Sequence, residues 1–377
     1  MSEWSRATLG DLARFQRGHD LPTTERRPGA VPVVGSAGVS GSHDAPRANA
    51  PGVVIGRSGA SIGHATYVTS DFWPLNTSLY VTDFRGNDPR FVYYHLQTIN
   101  FNSFNSGSAQ PSLNRNYFKH VPILLPSIHE QKFISSLLGV LDDKIAVNDR
   151  VAATLDELSH ALFSKHFSQA PKGPDWQIGK LSDLCGTQYG YTASSTDAPV
   201  GPRFLRVKDI NKNNWIGWPD VPYCRIPADT LDRYRLRRGD IVVARMADPG
   251  KSAIVEDEEE AVFASYLVRL KTASLAHAYF VWGFLKSERY QDYVAASKSG
   301  SVQSNMNAKV IVGAPIDIPP LELMQKHFGT VVPLRQKLLA VLRESSALVA
   351  LRDQLLPELM SGRLRVRDAE KVVEEAV

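Results

Sequence analysis

At 377 residues the chain exceeds what one core usually organises, so at least two domains are expected, and 43% hydrophobic with 22% charged residues exclude a disordered or fibrous protein. The 43 Lys and Arg set against 39 Asp and Glu leave a surplus of only +4, which permits a nucleic-acid partner without demanding one. Cys185 and Cys224 are too few for a disulfide framework, and with no basic-then-apolar leader after Met1 and no membrane-length apolar run, a soluble cytoplasmic protein is expected.

The first half opens on Trp4, followed by Leu9, Asp11, Leu12, Gln16 and Gly18. Gly52-Val53-Val54-Ile55-Gly56 reads as an apolar strand that ends on Arg57 and enters a glycine-bearing loop. Phe91-Val92-Tyr93 comes next. A polar run with little acidic charge follows: Asn102, Asn105, Ser106, Ser108, Gln110, Asn114, Arg115 and Asn116. Pro122-Ile123-Leu124-Leu125-Pro126 then leads into a helical pattern with apolar residues at Ile134, Leu138, Leu141, Ile145, Ala152, Leu155 and Leu162. Asn148 and Ser159 fill the remaining positions, steps of four and three alternate, and the result is a heptad seam in which Asn148 suits a register device.

The second half repeats these landmarks in the same order. Trp176, Leu181, Asp183, Leu184, Gln188 and Gly190 match the first set without a gap, 172 residues on. Asp240-Ile241-Val242-Val243-Ala244-Arg245 answers the strand ending on Arg57, and Phe280-Val281-Trp282 answers Phe91-Val92-Tyr93. Ser106-Gly107-Ser108-Ala109-Gln110-Pro111-Ser112-Leu113-Asn114 shares five of nine residues with Ser299-Gly300-Ser301-Val302-Gln303-Ser304-Asn305-Met306-Asn307, and Pro315-Ile316 and Pro319 keep that offset of 193. A second seam follows at Val331, Leu334, Leu338, Val341, Leu348 and Leu355, with Ser345 and Arg352 as polar members. Each helix could pack on its own domain, but shared length and phase favour a two-helix spacer of roughly 40 residues and about 60 Å. Pro333 inside the second pattern predicts that this helix starts or kinks there. A pseudo-symmetric molecule suits a target with two similar halves, of which duplex DNA is the commonest.

Catalytic constellations are missing. There is no Asp-Pro-Pro-aromatic or Asn-Pro-Pro-aromatic segment for methyl transfer to a flipped base, no His-Glu-x-x-His and no paired Cys-x-x-Cys for zinc. Pro249-Gly250-Lys251-Ser252 approaches a phosphate loop, but Arg245 stands where its first glycine belongs, and the counterpart around Gly63-His64-Ala65 has no lysine. His64 and His95 read as packing or surface residues. Neither a catalytic residue nor a metal ligand is therefore assigned.

Candidate DNA contacts are donors for phosphates and paired hydrogen-bonding groups for base edges. They are Arg57, Asn105, Ser106, Ser108, Gln110, Asn114 and Arg115 in the first half, and Tyr189, Tyr191, Arg245, Lys251, Lys298, Ser299, Ser301, Gln303 and Asn307 in the second. Ordinary capped turns and strand-end packing would use the same residue types. The run Glu256-Asp257-Glu258-Glu259-Glu260 repels phosphate and is expected to face away from DNA.

The paired Trp4 and Trp176 starts, the two Ser-Gly-Ser-x-Gln loops, the segments 122–126 and 315–319, and Leu355-Leu356-Pro357-Glu358-Leu359-Met360-Ser361-Gly362-Arg363-Leu364 together resemble the specificity subunits of type I restriction-modification systems, over residues 1 to about 367. Pro333 departs from that pattern, and so does the first helix ending, Leu162-Phe163-Ser164-Lys165-His166-Phe167, which lacks the glycine seen at Gly362. The resemblance implies an α+β fold with two tandem target-recognition domains, 1–126 and 172–320. Each would be followed by a spacer helix, 127–171 and 321–367, the two pairing as an antiparallel coiled coil with pseudo-two-fold symmetry, and residues 368–377 form an acidic tail. It implies double-stranded DNA as target, an asymmetric bipartite site, and two adenine-N6 methyltransferase subunits that carry S-adenosylmethionine and flip the adenine. A restriction subunit using ATP and Mg is a further partner, and no cofactor is expected on this chain. The rival readings are a duplicated protein-binding scaffold that never touches DNA and an enzyme with an unrecognised site.

Overall fold

The computed structural model describes residues 4–104, 112–298, 305–366, 368, 369 and 371, with only the backbone of Asn102, Tyr117 and Lys298. Two compact units emerge, one made of residues up to Val147 together with those from Ser345 onward, the other of Asn148–Glu344.

The first unit begins with β1 (Ser5–Thr8), the one-turn helix α1 (Leu9–Leu12) and β2 (Arg14–Arg17). Asp11 fixes this entry, because its carboxylate accepts from the Thr8 amide at 2.9 Å and from the Thr8 hydroxyl at 2.7 Å. Then come β3 (Val31–Gly35), β4 (Gly38–His43), β5 (Gly52–Gly56), β6 (Ala65–Val68), β7 (Trp73–Pro74) and β8 (Ser78–Asp83). The antiparallel order β2-β8-β5-β6 places β5 inside the sheet with every residue buried, which is why it reads as an unbroken apolar run. Helix α2 (Pro89–Gln97) starts with Pro89 at its first position and with Asp88 accepting from the Phe91 amide at 2.9 Å. Short α3 (Arg115–Phe118) precedes β9 (Pro122–Leu125), which pairs back onto β1 and delivers the chain to α4 (Ile128–Phe163).

The second unit writes the same plan again. It contains β10 (Gln177–Lys180), β11 (Cys185–Tyr189), β12 (Arg203–Leu205), α5 (Ala228–Tyr234), β13 (Ile241–Ala244), β14 (Ser252–Ile254), β15 (Ala261–Phe263) and β16 (Leu267–Thr272). After these come α6 (Leu275–Lys286), α7 (Glu288–Lys298), α8 (Ala308–Val312), β17 (Pro315–Ile318) and α9 (Leu321–Met360). The order β11-β16-β13-β14 reproduces β2-β8-β5-β6, parallel β12·β15 reproduces β3·β7, and β10·β17 reproduces β1·β9. Individual main-chain bonds recur as well: the His19 amide donates to Pro74 O at 2.8 Å, and the Tyr191 amide to Phe263 O at 2.8 Å.

Both units use parts of α4 and α9, and in each the helices run antiparallel. In the first unit Arg352 donates to Asp142 at 2.9 Å, beside buried Ile134, Leu138, Leu141, Leu348 and Leu355 and half-buried Ile145. In the second unit Asn148 Nδ2 donates to Glu344 at 3.0 Å and Arg335 to Asp156 at 2.6 Å, while Ala152, Leu338 and Val341 form a small core. Leu155, Leu162 and Leu334 are only half-buried there, because Arg335 takes the place expected for Leu334. A straight helix drifts against a strict seven-residue repeat, and Asp156 and Glu256 hold the neighbouring arginine inside.

Pro333 does not start α9. The helix begins twelve residues earlier at Leu321 and continues past the proline. Pro333 and Gly329, one turn before it, are both exposed, so the carbonyl deprived of its donor faces water. The helix ends differ as their sequences do. Gly362, at φ +69, closes α9 with its amide donating to Leu359 O at 3.2 Å, a conformation that favours glycine. The residues after α4 instead wind into a π-turn, Ser164–Ser168, that buries Phe167.

Candidate nucleic-acid interface

In the first unit β5 carries Arg57 to the edge of the polar segment. The Arg57 amide donates to Thr77 O at 2.9 Å, its own carbonyl accepts from the Leu113 amide at 2.8 Å, and its guanidinium reaches Asn76 O at 3.3 Å. The loop after Arg57 returns through Gly63, at φ +79, where a β-carbon would lie 2.7 Å from the Phe101 side chain. Arg115 donates to Phe15 O at 3.2 Å, which brings it to a cleft of about 520 Å³ lined also by Arg14, Gln16, Arg17, His19 and Asp20. On β2 only Phe15 is buried, so Arg14, Gln16 and Arg17 present a cationic edge. The sequence reading missed Arg14 and Arg17, although a lone apolar Phe15 set among Arg14, Gln16 and Arg17 could have drawn attention to them.

The second unit places Arg245 in the same frame. Its amide donates to Tyr266 O at 3.0 Å and its carbonyl accepts from the Met306 amide at 2.9 Å. Its guanidinium lies 5.0 Å from the Tyr189 ring, and the Tyr189 hydroxyl accepts from the Ala308 amide at 3.0 Å. Tyr191 lines a separate cleft of about 740 Å³ with Arg206, Lys208, Asn211, Ala247 and Tyr266. Lys251 is exposed at the end of the β13–β14 turn, but Ser252 is fully buried in β14. A phosphate loop would need that hydroxyl at an open helix N-terminus, so this turn is a hairpin.

Asn114 and Asn307 act as helix caps. Asn114 Oδ1 accepts from the Asn116 amide at 3.0 Å, and Asn307 Oδ1 from the Val310 amide at 3.0 Å. Their side-chain oxygens are committed to holding the ends of the polar segments. Asn105, Ser106, Ser108, Gln110, Ser299, Ser301 and Gln303 lie outside the described residues, as does the Lys298 side chain and the tail from residue 372.

The acidic run is partly interior. Glu256 accepts from Arg335 at 2.6 Å and from the Tyr279 hydroxyl at 2.8 Å, and Asp257 pairs with Arg343. Asp156 accepts from Arg335 and from Asn214 Nδ2, each at 2.6 Å, and Lys286 donates to Asn214 at 2.9 Å. Burial opposes the Arg335 charge, but hydrogen bonding and the charges of Glu256 and Asp156 outweigh it and keep the group more basic than a free arginine. Burial lowers Lys286 to about 8. These acids therefore dock α9 rather than face solvent as a block.

Burial pushes the Cys185 thiol up to about 12 and Cys224 to about 11, so neither is an activated nucleophile. Among the described residues, no group of three or more His, Cys, Asp or Glu side chains could hold a metal, and no helix is long and apolar enough to cross a membrane.

The family described as Type I restriction modification DNA specificity domain matches residues 1–157. The chain is 25% identical over 354 residues to the type I restriction enzyme MjaIX specificity subunit of Methanocaldococcus jannaschii, covering 84% of this chain and 78% of that one. It is 23% identical over 307 residues to the MjaVIII specificity subunit of the same organism, covering 74% and 71%. Among solved structures, the type I restriction-modification system S subunit from M. genitalium shares the fold, with a TM-score of 0.63 over 95% of this chain and 96% of that one at 17% identity.

Proposed function

We propose that this chain is, like the type I specificity subunits it resembles, a non-catalytic DNA-recognition subunit that directs adenine-N6 methyltransferase subunits to one asymmetric, bipartite DNA site. The observation that carries this reading is a scaffold repeated at the level of single main-chain bonds but dressed with different side chains. In the first unit Arg57 has Leu113 bonded to its carbonyl, and Arg14, Arg17 and Arg115 line a cleft of their own; in the second Arg245, with Met306 bonded to its carbonyl, stands against Tyr189. Equal frames with unequal surfaces suit two unequal half-sites.

Residues 1–126 and 172–320 are the two readers in this proposal, 127–171 and 321–367 the spacer helices, and 368–377 a tail. Arg57, Asn105, Ser106, Ser108, Gln110 and Arg115 contact one half-site. Tyr189, Tyr191, Arg245, Lys251, Lys298, Ser299, Ser301 and Gln303 contact the other, and Asn114 and Asn307 brace the two loops. Two methyltransferase subunits supply S-adenosylmethionine, a restriction subunit supplies ATP and Mg chemistry, and the assembly works in the cytoplasm. A stripe of Phe133, Val140 and Val147 on α4, spaced by seven residues and 42 to 60% exposed, supports a protein partner for that helix.

The test is methylation of a genomic DNA library by the methyltransferase partner with and without this chain. Methylated adenine confined to one bipartite motif, and only when the chain is present, is the expected result. Methylation at the same sites in its absence would refute the proposal.

A further inference from the structure

The two helices are homologous, yet their buried charges are not. Strand β9 starts at Pro122 and β17 at Pro315, while α4 starts at Ile128 and α9 at Leu321, so position n on α4 corresponds to n + 193 on α9. Asp142 therefore corresponds to Arg335. In the first unit Asp142, with its side chain only 19% exposed, accepts from Arg352 at 2.9 Å and from the Tyr94 hydroxyl at 2.5 Å. In the second unit Asp156, 8% exposed, accepts from Arg335 at 2.6 Å. Both contacts put the acid on α4 and the arginine on α9.

Since the helices are related by duplication, each could in principle pair with a copy of itself. The observed register shows what would happen. A second α4 in the place of α9 would bring its Asp142 to the position of Arg335, against Asp156. A second α9 in the place of α4 would bring its Arg335 to the position of Asp142, against Arg352. Either self-pair juxtaposes like charges twice in a partly dehydrated seam, where each unpaired charge is costly. We infer that Asp142 and Asp156 on α4 with Arg335 and Arg352 on α9 form a charge code that makes each helix accept the other and reject its own copy. This inference rests on the two-reader proposal for its meaning: the code keeps two different readers in one particle and prevents particles with two identical readers.

The full-length variants R352D and D142R each carry one mismatched pair and one matched pair when α4 and α9 of one chain pair with each other. Exchanging helices between the two variants matches all four pairs. Co-refolding an equimolar mixture, one chain isotope-labelled, and reading the products by native mass spectrometry should give the 1:1 heterodimer at least tenfold above either homodimer. The double variant D142R/R352D, with polarity inverted but matched, should refold with its own two helices paired and show the same oligomeric state as the unaltered chain. Arg352 and Asp142 lie outside the Glu256 network, so these changes spare that buried cluster. If a single variant fails to fold alone, the co-refolded heterodimer still reports partner choice. A statistical mixture, monomers only, or failure of both the mixture and the double variant to give folded species would overturn the inference. The assay contains no DNA, so a negative result leaves the proposed reading of DNA untouched.

Discussion

Removing the Arg335 guanidinium is the sharpest perturbation the second unit offers. Arg335 is fully buried and is held by Asp156 at 2.6 Å and by Glu256 at 2.6 and 3.0 Å, with its guanidinium 4.7 Å from the Trp282 ring. The substitution Arg335→Met keeps an unbranched apolar stem but leaves two carboxylates dehydrated and without their cation, which costs about 3 to 5 kcal/mol. At 1.4 kcal/mol per factor of ten, that raises the opening equilibrium of this unit by roughly two to four orders of magnitude. Urea unfolding followed by tryptophan fluorescence reads the loss, because Trp282 is part of the cluster. The triple variant D156L/E256M/R335M should recover most of it, since an apolar replacement of a whole buried ion cluster is often neutral. A loss below about 1 kcal/mol for Arg335→Met, or a triple variant no better than the single one, would refute the argument that these charges are dry and mutually dependent.

Burial pushes His95 and His327 to about 4, so both are neutral in the folded chain. Their folded values lie below the unfolded value of about 6.5, so the stability they permit is present above that pH. It falls away between about 6.5 and 4, by about 2 kcal/mol for each residue at pH 5; denaturant titrations that coincide at pH 7 and 5 would contradict this. Gly283→Ala should cost about 1 to 3 kcal/mol, because the added β-carbon would sit on the Phe163 ring, and an unchanged melting temperature would contradict that packing. Asn307→Asp should keep the α8 cap and with it the stability, whereas Asn307→Ala should lose about 1 kcal/mol. If the cap lies at the DNA surface, the aspartate should also weaken DNA binding in a gel shift, and unaltered binding would move Asn307 away from it.

The duplication was legible because it rests on residues whose roles are local. Asp11 and Asp183 each accept the amide three residues earlier, and Gly18 and Gly190 each donate to the neighbouring strand. The helix pair was legible from its period. Arg335 was not, because the acids that make its burial tolerable come from α4 and from Glu256, 79 residues away in sequence. The same distance in sequence hid the interior role of the acidic run, which by itself reads as a solvated stretch. Asn114 and Asn307 read as candidate base contacts, yet an asparagine just before a short helical stretch is also a capping signal. Pro333 does not start α9, because the carbonyl it deprives of a donor lies on the exposed side of the helix and can reach water.

The claim that two separate domains read two separate half-sites is tested most directly by mapping methylation base by base across a randomised target library. The comparison is between the unaltered chain, R57A/R115A and R245A/K251A, each assembled with the methyltransferase partner. Each variant should relax preference at a different group of positions, by about 1 to 3 kcal/mol per lost base contact, and leave the other half-site intact. Relaxation of the same positions by both variants, or an unchanged pattern from either folded variant, would contradict it.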